Sequence, residues 1–116
     1  MKIRITDNTL RIRLSQSDLT DLSTLKPVTV SLPMGALEFT IQLQVQQAYI
    51  HGAANTAETP FDNDSEIHFD HHSINISIAS NQLLPWIDSS EIRFTTTFTY
   101  PNNRTLNLIV EKDFMG

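Results

Sequence analysis

Four basic side chains crowd into the first thirteen positions of this sequence: Lys2, Arg4, Arg11 and Arg13. They are half of the eight lysines and arginines in a chain whose formal net charge is −5. Guanidinium and ammonium groups gathered on one surface recognise anions, whether phosphates or carboxylates. If the residues that carry them are paired across two strands, each opposed pair of like charges destabilises the pairing by roughly 0.2–1 kcal/mol. Something must offset that repulsion. The preferred expectation is that carboxylates on neighbouring strands, Glu38 or Glu111, interleave with the arginines. The alternative is an anion-binding face.

A second group, Glu66, His68, Asp70 and His72, occupies alternate positions, with Asp62 and Asp64 ahead of it. On an extended chain alternate side chains point the same way, and mixed oxygen and nitrogen donors suit a divalent metal. The segment Asp70 to Ser73 reads as a hairpin turn, however, and isolated histidines on strands face solvent. A metal site is the weaker expectation, and a metal-dependent hydrolase is the weaker functional alternative that follows from it. No glycine-rich phosphate loop can be built from three glycines, and no Ser-His-Asp order or rigid carboxylate pair stands out. An enzyme is not expected, nor is a cofactor.

Composition narrows the partners. A pI near 5.1 argues against general affinity for nucleic acid or anionic membranes. Cysteine is absent, which removes disulfides, thiolate ligands and thiol nucleophiles. The start of the chain alternates charge with apolar residues, and no run approaches a membrane span, so a cytoplasmic protein is the default. With 116 residues, 40% apolar and 18% charged, a single domain around one interior is expected.

The elements that must position these groups are strands. Lys2 to Thr6 and Thr9 to Leu14 alternate with period two, and Asp7-Asn8 between them suits a two-residue hairpin loop. That loop sets Ile5 against Leu10, Ile3 against Ile12, Arg4 against Arg11 and Lys2 against Arg13. Ser15 and Asp18 form the two ends of a capping box, opening a short helix that runs to about Thr24 with Leu19, Leu22 and Leu25 as its buried stripe. Val28 to Leu32 is a strand, Pro33-Met34-Gly35 a turn, and Leu37 to Val45 a strand with Glu38, Thr40, Gln42 and Gln44 on its polar face.

Much of this pattern returns 64 positions later. Ile3, Ile5, Leu10, Ile12, Leu14, Leu19, Leu22, Val28 and Val30 fall on Ile67, Phe69, Ile74, Ile76, Ile78, Leu83, Trp86, Ile92 and Phe94. A gapless duplication is the expectation. It divides the chain into a first repeat, 2–46, a connector, 47–65, and a second repeat, 66–114. In the second repeat Pro85 predicts a shorter or partly 3₁₀ helix, and the strands run Glu91 to Tyr100 and Arg104 to Asp113. Two ββαββ repeats closing around a pseudo-twofold axis give the expected fold: a mostly β, eight-stranded barrel-like domain with a helix over each end. A two-sheet sandwich is the alternative.

Two resemblances accompany this reading. Through Asn8-Thr9-Leu10-Arg11-Ile12-Arg13-Leu14, Trp86, Glu91-Ile92-Arg93-Phe94 and the closing Val110-Glu111-Lys112-Asp113-Phe114, the chain resembles an uncharacterised family of short bacterial proteins, a domain of unknown function. That resemblance implies no activity. Through Lys2 to Leu32 the chain is similar to the swapped-hairpin regulators of the AbrB and MazE kind, which implies an intertwined architecture and DNA binding by the basic first hairpin, although Asp7 replaces the expected glycine. The functional expectation is a non-catalytic interaction or structural domain. The uncharged faces Thr95, Thr97, Thr99 and Thr40, Gln42, Gln44 point to a homodimer. Its protein or acidic partner is unassigned, nucleic acid is the less expected ligand, and no membrane is involved.

Overall fold

The computed structural model describes residues 1–46 and 65–113. The connector therefore lies, apart from Ser65, outside the described residues, as do Asp62, Asp64 and Phe114. Ten elements follow in order: β1 (Lys2–Thr6), β2 (Thr9–Leu14), α1 (Gln16–Ser23), β3 (Val28–Met34), β4 (Leu37–Gln46), β5 (Glu66–Phe69), β6 (Ser73–Ala79), α2 (Ser80–Asp88), β7 (Arg93–Thr99) and β8 (Thr105–Lys112). The order is ββαββ in each half.

The eight strands form two separate four-stranded sheets, β1-β2-β8-β7 and β3-β4-β6-β5. The closed barrel expected from the sequence is thus overturned, and the sandwich alternative fits. Each sheet keeps two open edges, because the crossing between halves occurs at its centre. There β2 runs parallel to β8 and β4 parallel to β6. Exchanging each strand for its counterpart in the other half converts one sheet order into the other. The helices do not cover opposite ends either: α1 packs against α2.

Local predictions fare well where the chain contacts its own neighbours. The first hairpin pairs as its loop requires, Lys2 with Arg13, Ile3 with Ile12, Arg4 with Arg11 and Ile5 with Leu10, and Asp7 takes the left-handed conformation with φ 52°. The second hairpin has the same register 64 residues on, with Ile67 opposite Ile76 and Phe69 opposite Ile74. The offset then changes. Val28 faces Leu43, whereas the residue facing Val110 is Phe94 rather than Ile92. The gapless shift therefore stops before the third strand, and Ile92 is left exposed.

Other departures have local causes. Strand β3 continues through Pro33 and Met34 to a Gly35-Ala36 loop, with Gly35 at φ 68°. Proline is tolerated because β3 is an edge strand, with no partner on its outer side among the described residues. Leu25 ends α1 in the left-handed region, φ 66°, and is exposed rather than part of the buried stripe. Pro85 does not shorten α2, which has nine residues against eight in α1. Its ring and Asn81, whose carbonyl loses a backbone donor, both face solvent, where water can serve that oxygen. The capping box at α1 forms in full, Asp18 N–H donating to Ser15 Oγ at 3.1 Å and Ser15 N–H to Asp18 Oδ2 at 2.9 Å.

Between the sheets lies one apolar cluster. Leu10, Ile12, Leu14, Leu108 and Val110 come from one sheet and Val28, Ile41, Leu43, Ile76 and Ile78 from the other, with Leu19, Leu22, Leu83 and Trp86 from the helices. The side chain at the inward position after Val110 is a lysine. Lys112 is 8% exposed, and its ammonium donates to the carbonyls of Trp86 at 2.9 Å and Ser89 at 2.6 Å while lying 4.8 Å from the Trp86 ring. It answers the negative dipole end of α2, adding a charged donor to a Trp86 carbonyl that already accepts from the Ser89 N–H and hydroxyl.

Two outcomes test this interior. Ile12→Ala and Ile76→Ala, both at fully buried positions, should each lower the unfolding free energy by about 2–5 kcal/mol in denaturant titration. Lys112→Met keeps the stem but removes the donors, and should cost about 1–3 kcal/mol in the same measurement.

Candidate anion-binding face

Because β1, β2, β8 and β7 are neighbours, their outward side chains form rows across one sheet. Lys2 lies beside Arg13, Arg13 beside Glu111 and Glu111 beside Arg93. The next row is Arg4, Arg11, Ile109 and Thr95. Five cations thus share a face with Glu111 at its centre. Alternation places them there: Leu10, Ile12, Leu108, Val110 and Phe94 turn inward, so the residues between must turn out.

Glu111 does interleave as expected, but only with part of the group. Its Oε2 accepts from Arg93 Nε at 3.0 Å and Nη2 at 2.8 Å, and its Oε1 lies 3.6 Å from Arg13 Nε. The carboxylate side chain is 10% exposed, while both arginines are more than half exposed. Burial is the largest single influence on its titration and pushes its pKa up. The Arg93 hydrogen bond and the charges of Arg11, Arg93 and Arg13 together outweigh burial and hold it below the ordinary value of 4.5. Lys2 reaches Asp113 at 3.8 Å. Glu38 takes no part, since it sits on β4 in the other sheet, opposite Pro33.

Arg4 and Arg11 are left over. Neither has a carboxylate within 4 Å among the described residues. Together with Lys2, Arg13 and Ile3 they line a depression of about 240 Å³. All four basic residues singled out in the sequence therefore meet at one place, offering guanidinium donors to an anion. Arg93 was not among them. Its outward direction is legible from Phe94, but its nearness to Arg13 depends on β8 lying between β7 and β2.

The acidic and histidine group is arranged differently. Glu66 and His68 are on β5, where Glu66 Oε1 and His68 Nε2 are 2.8 Å apart, while Asp70 and His72 belong to the β5–β6 turn. Among the described residues no three His, Asp or Glu side chains are gathered in a way that could hold a metal ion. Apart from Glu38, the rest of the outer face of this second sheet is uncharged and ordered by amides: Gln42 Nε2 donates to Gln44 Oε1 at 3.2 Å and Gln44 Nε2 to Ser77 Oγ at 2.9 Å. Thr95, Thr97 and Thr99 are exposed on β7, with Thr97 Oγ1 donating to Asn107 Oδ1 at 3.0 Å.

The Glu111 geometry predicts an acid-side dependence of stability. A carboxylate that titrates lower when folded lets the unfolded chain take up its proton first, so its contribution is complete above 4.5 and is lost as pH falls through the depressed folded value. Asp18 acts in the same sense. Burial raises its pKa, but the hydrogen bonds from the chain's amino group and from Ser15 more than offset this. Thermal melts of Glu111→Gln should accordingly show a lower midpoint than the parent at neutral pH, and the two should converge on acidification.

Among the described residues no helix is long and apolar enough to cross a membrane. No curated protein and no solved structure matches the chain. A family model matches residues 1–116, and by it the chain belongs to a family of unknown function, DUF7009.

Proposed function

We propose that this chain is a non-catalytic interaction domain, and that the basic face of its first sheet binds an acidic segment of a partner protein. The observation that carries this reading is the incomplete neutralisation of that face. Glu111 pairs with Arg13 and Arg93 and meets the charge of Arg11 only at longer range, whereas neither Arg4 nor Arg11 has a carboxylate within 4 Å among the described residues, and both line a common depression. A carboxylate-bearing ligand would relieve the repulsion between Arg4 and Arg11, which are directly opposed. Overall negative charge works against a long polyanion such as DNA, whose backbone would also meet the acidic remainder of the molecule. We take the two ββαββ halves as products of duplication. Only the first carries the cations, since Glu66, His68, Asn75 and Ser77 hold the corresponding places in the second.

Self-association belongs to the same reading. Strand β7 is an edge with an uncharged outward row of Thr95, Thr97 and Thr99. A twofold pairing along it would close an aggregation-prone edge with little charge opposed. A cytoplasmic location and a bacterial source fit these features.

Fluorescence anisotropy with a labelled oligoglutamate peptide and a labelled DNA duplex, both at low salt, tests the proposal. The peptide should bind, and Arg4→Ala and Arg11→Ala should each weaken it by about tenfold, the worth of one charge-assisted hydrogen bond. Tighter binding of the duplex, with the same dependence on Arg11, would replace the reading with that of a DNA-binding regulator. No binding of either at millimolar ligand would remove it.

A further inference from the structure

The cationic depression adjoins a larger apolar groove, and the two share Lys2 and Ile3. The groove, about 640 Å³, opens between the edge strands β1 and β3 and is lined chiefly by Ile3, Ile5, Val30, Leu32, Met34 and Phe39. Ile5, Leu32 and Met34 are 64%, 60% and 56% exposed although they point along the inner faces of their sheets. At the opposite end of the sandwich two of the chain's own rings meet across the corresponding gap without closing it, since Phe69 remains 58% exposed. Phe69, at the pairing position that matches Ile5, meets Tyr100 with centroids 6.4 Å apart, and Phe98, at the position that matches Leu32, is half-buried. The space between β1 and β3 is therefore of a kind that large apolar side chains fill.

Strand β1 decides what else the occupant must carry. Among the described residues it has one neighbour, β2, so its other side offers backbone donors and acceptors that no described strand pairs, beside the groove. Along it cations and apolar residues alternate, with Lys2 and Arg4 facing out and Ile3 and Ile5 facing the groove. A lipid or small hydrophobe would leave those backbone groups unanswered. A second copy adding through its own β1 would set Lys2 and Arg4 against their equivalents, and like charges opposed on paired strands repel.

We propose that an extended segment of a partner protein, alternating acidic with large apolar residues, adds to the first sheet as a fifth strand along β1. Its apolar side chains fill the groove and its carboxylates lie over Lys2 and Arg4, with main-chain hydrogen bonds supplying affinity and the alternation supplying specificity. This rests on the acidic-partner reading and gives that partner its conformation and pattern.

The experiment compares fluorescent heptapeptides: one alternating Glu with Val and Phe, one of the same composition with its Glu residues clustered, and the alternating one N-methylated on the amides of one edge. The alternating peptide should bind best. N-methylation of the correct edge, Ile5→Glu and Leu32→Glu should each weaken it by about tenfold or more, with far-ultraviolet circular dichroism unchanged because both side chains are already exposed. Equal binding of alternating and clustered peptides, indifferent to Ile5→Glu and Leu32→Glu but lost in Arg4→Ala, would overturn the added strand and leave the acidic-partner reading standing. Binding indifferent to Arg4→Ala and Arg11→Ala as well, or no binding, would overturn both. Light scattering that finds self-association abolished by Ile5→Glu and by the alternating peptide would overturn the foreign partner. The occupant would then be a second copy, whose Glu66-Ile67-His68-Phe69 edge carries a similar alternation.

Discussion

The pairing of β2 with β8 and of β4 with β6 holds this structure together. In each sheet the two central strands come from different halves of the chain, and they run parallel, which no hairpin can join. Ile12 lies beside Val110 and Leu43 beside Ile76, and all four are fully buried. Neither half could therefore complete a sheet by itself, because each supplies one edge pair to each layer. A two-stranded hairpin left alone in water is marginal at best. The interior and the backbone ladders form together, at the seam between the halves.

That seam also assembles the charged face. Strand β8 enters the first sheet between two strands that carry arginines outward, and it brings one carboxylate with it. Four successive residues there divide the work by direction. Val110 is core, Glu111 ties Arg13 and Arg93 outside, Lys112 turns inward to the end of α2, and Asp113 approaches Lys2 while its N–H donates to the Leu14 carbonyl at 2.8 Å. These are structural contacts, and they occupy Lys2, Arg13 and Arg93, the cations in the row of Glu111. The repulsion that is not relieved collects at Arg4 and Arg11, one row away, where Ile109 rather than a carboxylate is the neighbour.

The two halves share element order without sharing surface chemistry. The sheet built around β4 and β6 shows glutamine, serine and threonine outside, linked by amide hydrogen bonds, whereas the sheet built around β2 and β8 shows arginine. The ends differ too: the Phe69 and Tyr100 rings meet at the end of β5 and β7, whereas no such ring pair spans the groove between β1 and β3 among the described residues. Inward positions are constrained by a common interior, and outward and edge positions are not, so the halves differ where packing does not hold them.

Much of this could be read from the sequence, for a definite reason. Hairpin register, the Ser15–Asp18 capping box and the alternation that throws Lys2, Arg4, Arg11 and Arg13 to one side are all decided within a few residues, by turn and cap geometry and a period of two. The barrel expectation failed, as did the gapless offset through Ile92, because each depends on what packs against the segment from elsewhere, whereas Leu25 lost its buried place locally, where α1 ends in the left-handed region. Glu111 could be proposed as a counter-charge but not separated from Glu38, and Arg93 could not be placed at all. By itself the sequence determined which side chains face together along each strand. Only the tertiary structure decided which strands lie side by side, since parallel pairing between distant segments leaves no local signature, and with it which cations keep a counter-charge and which edge stays open.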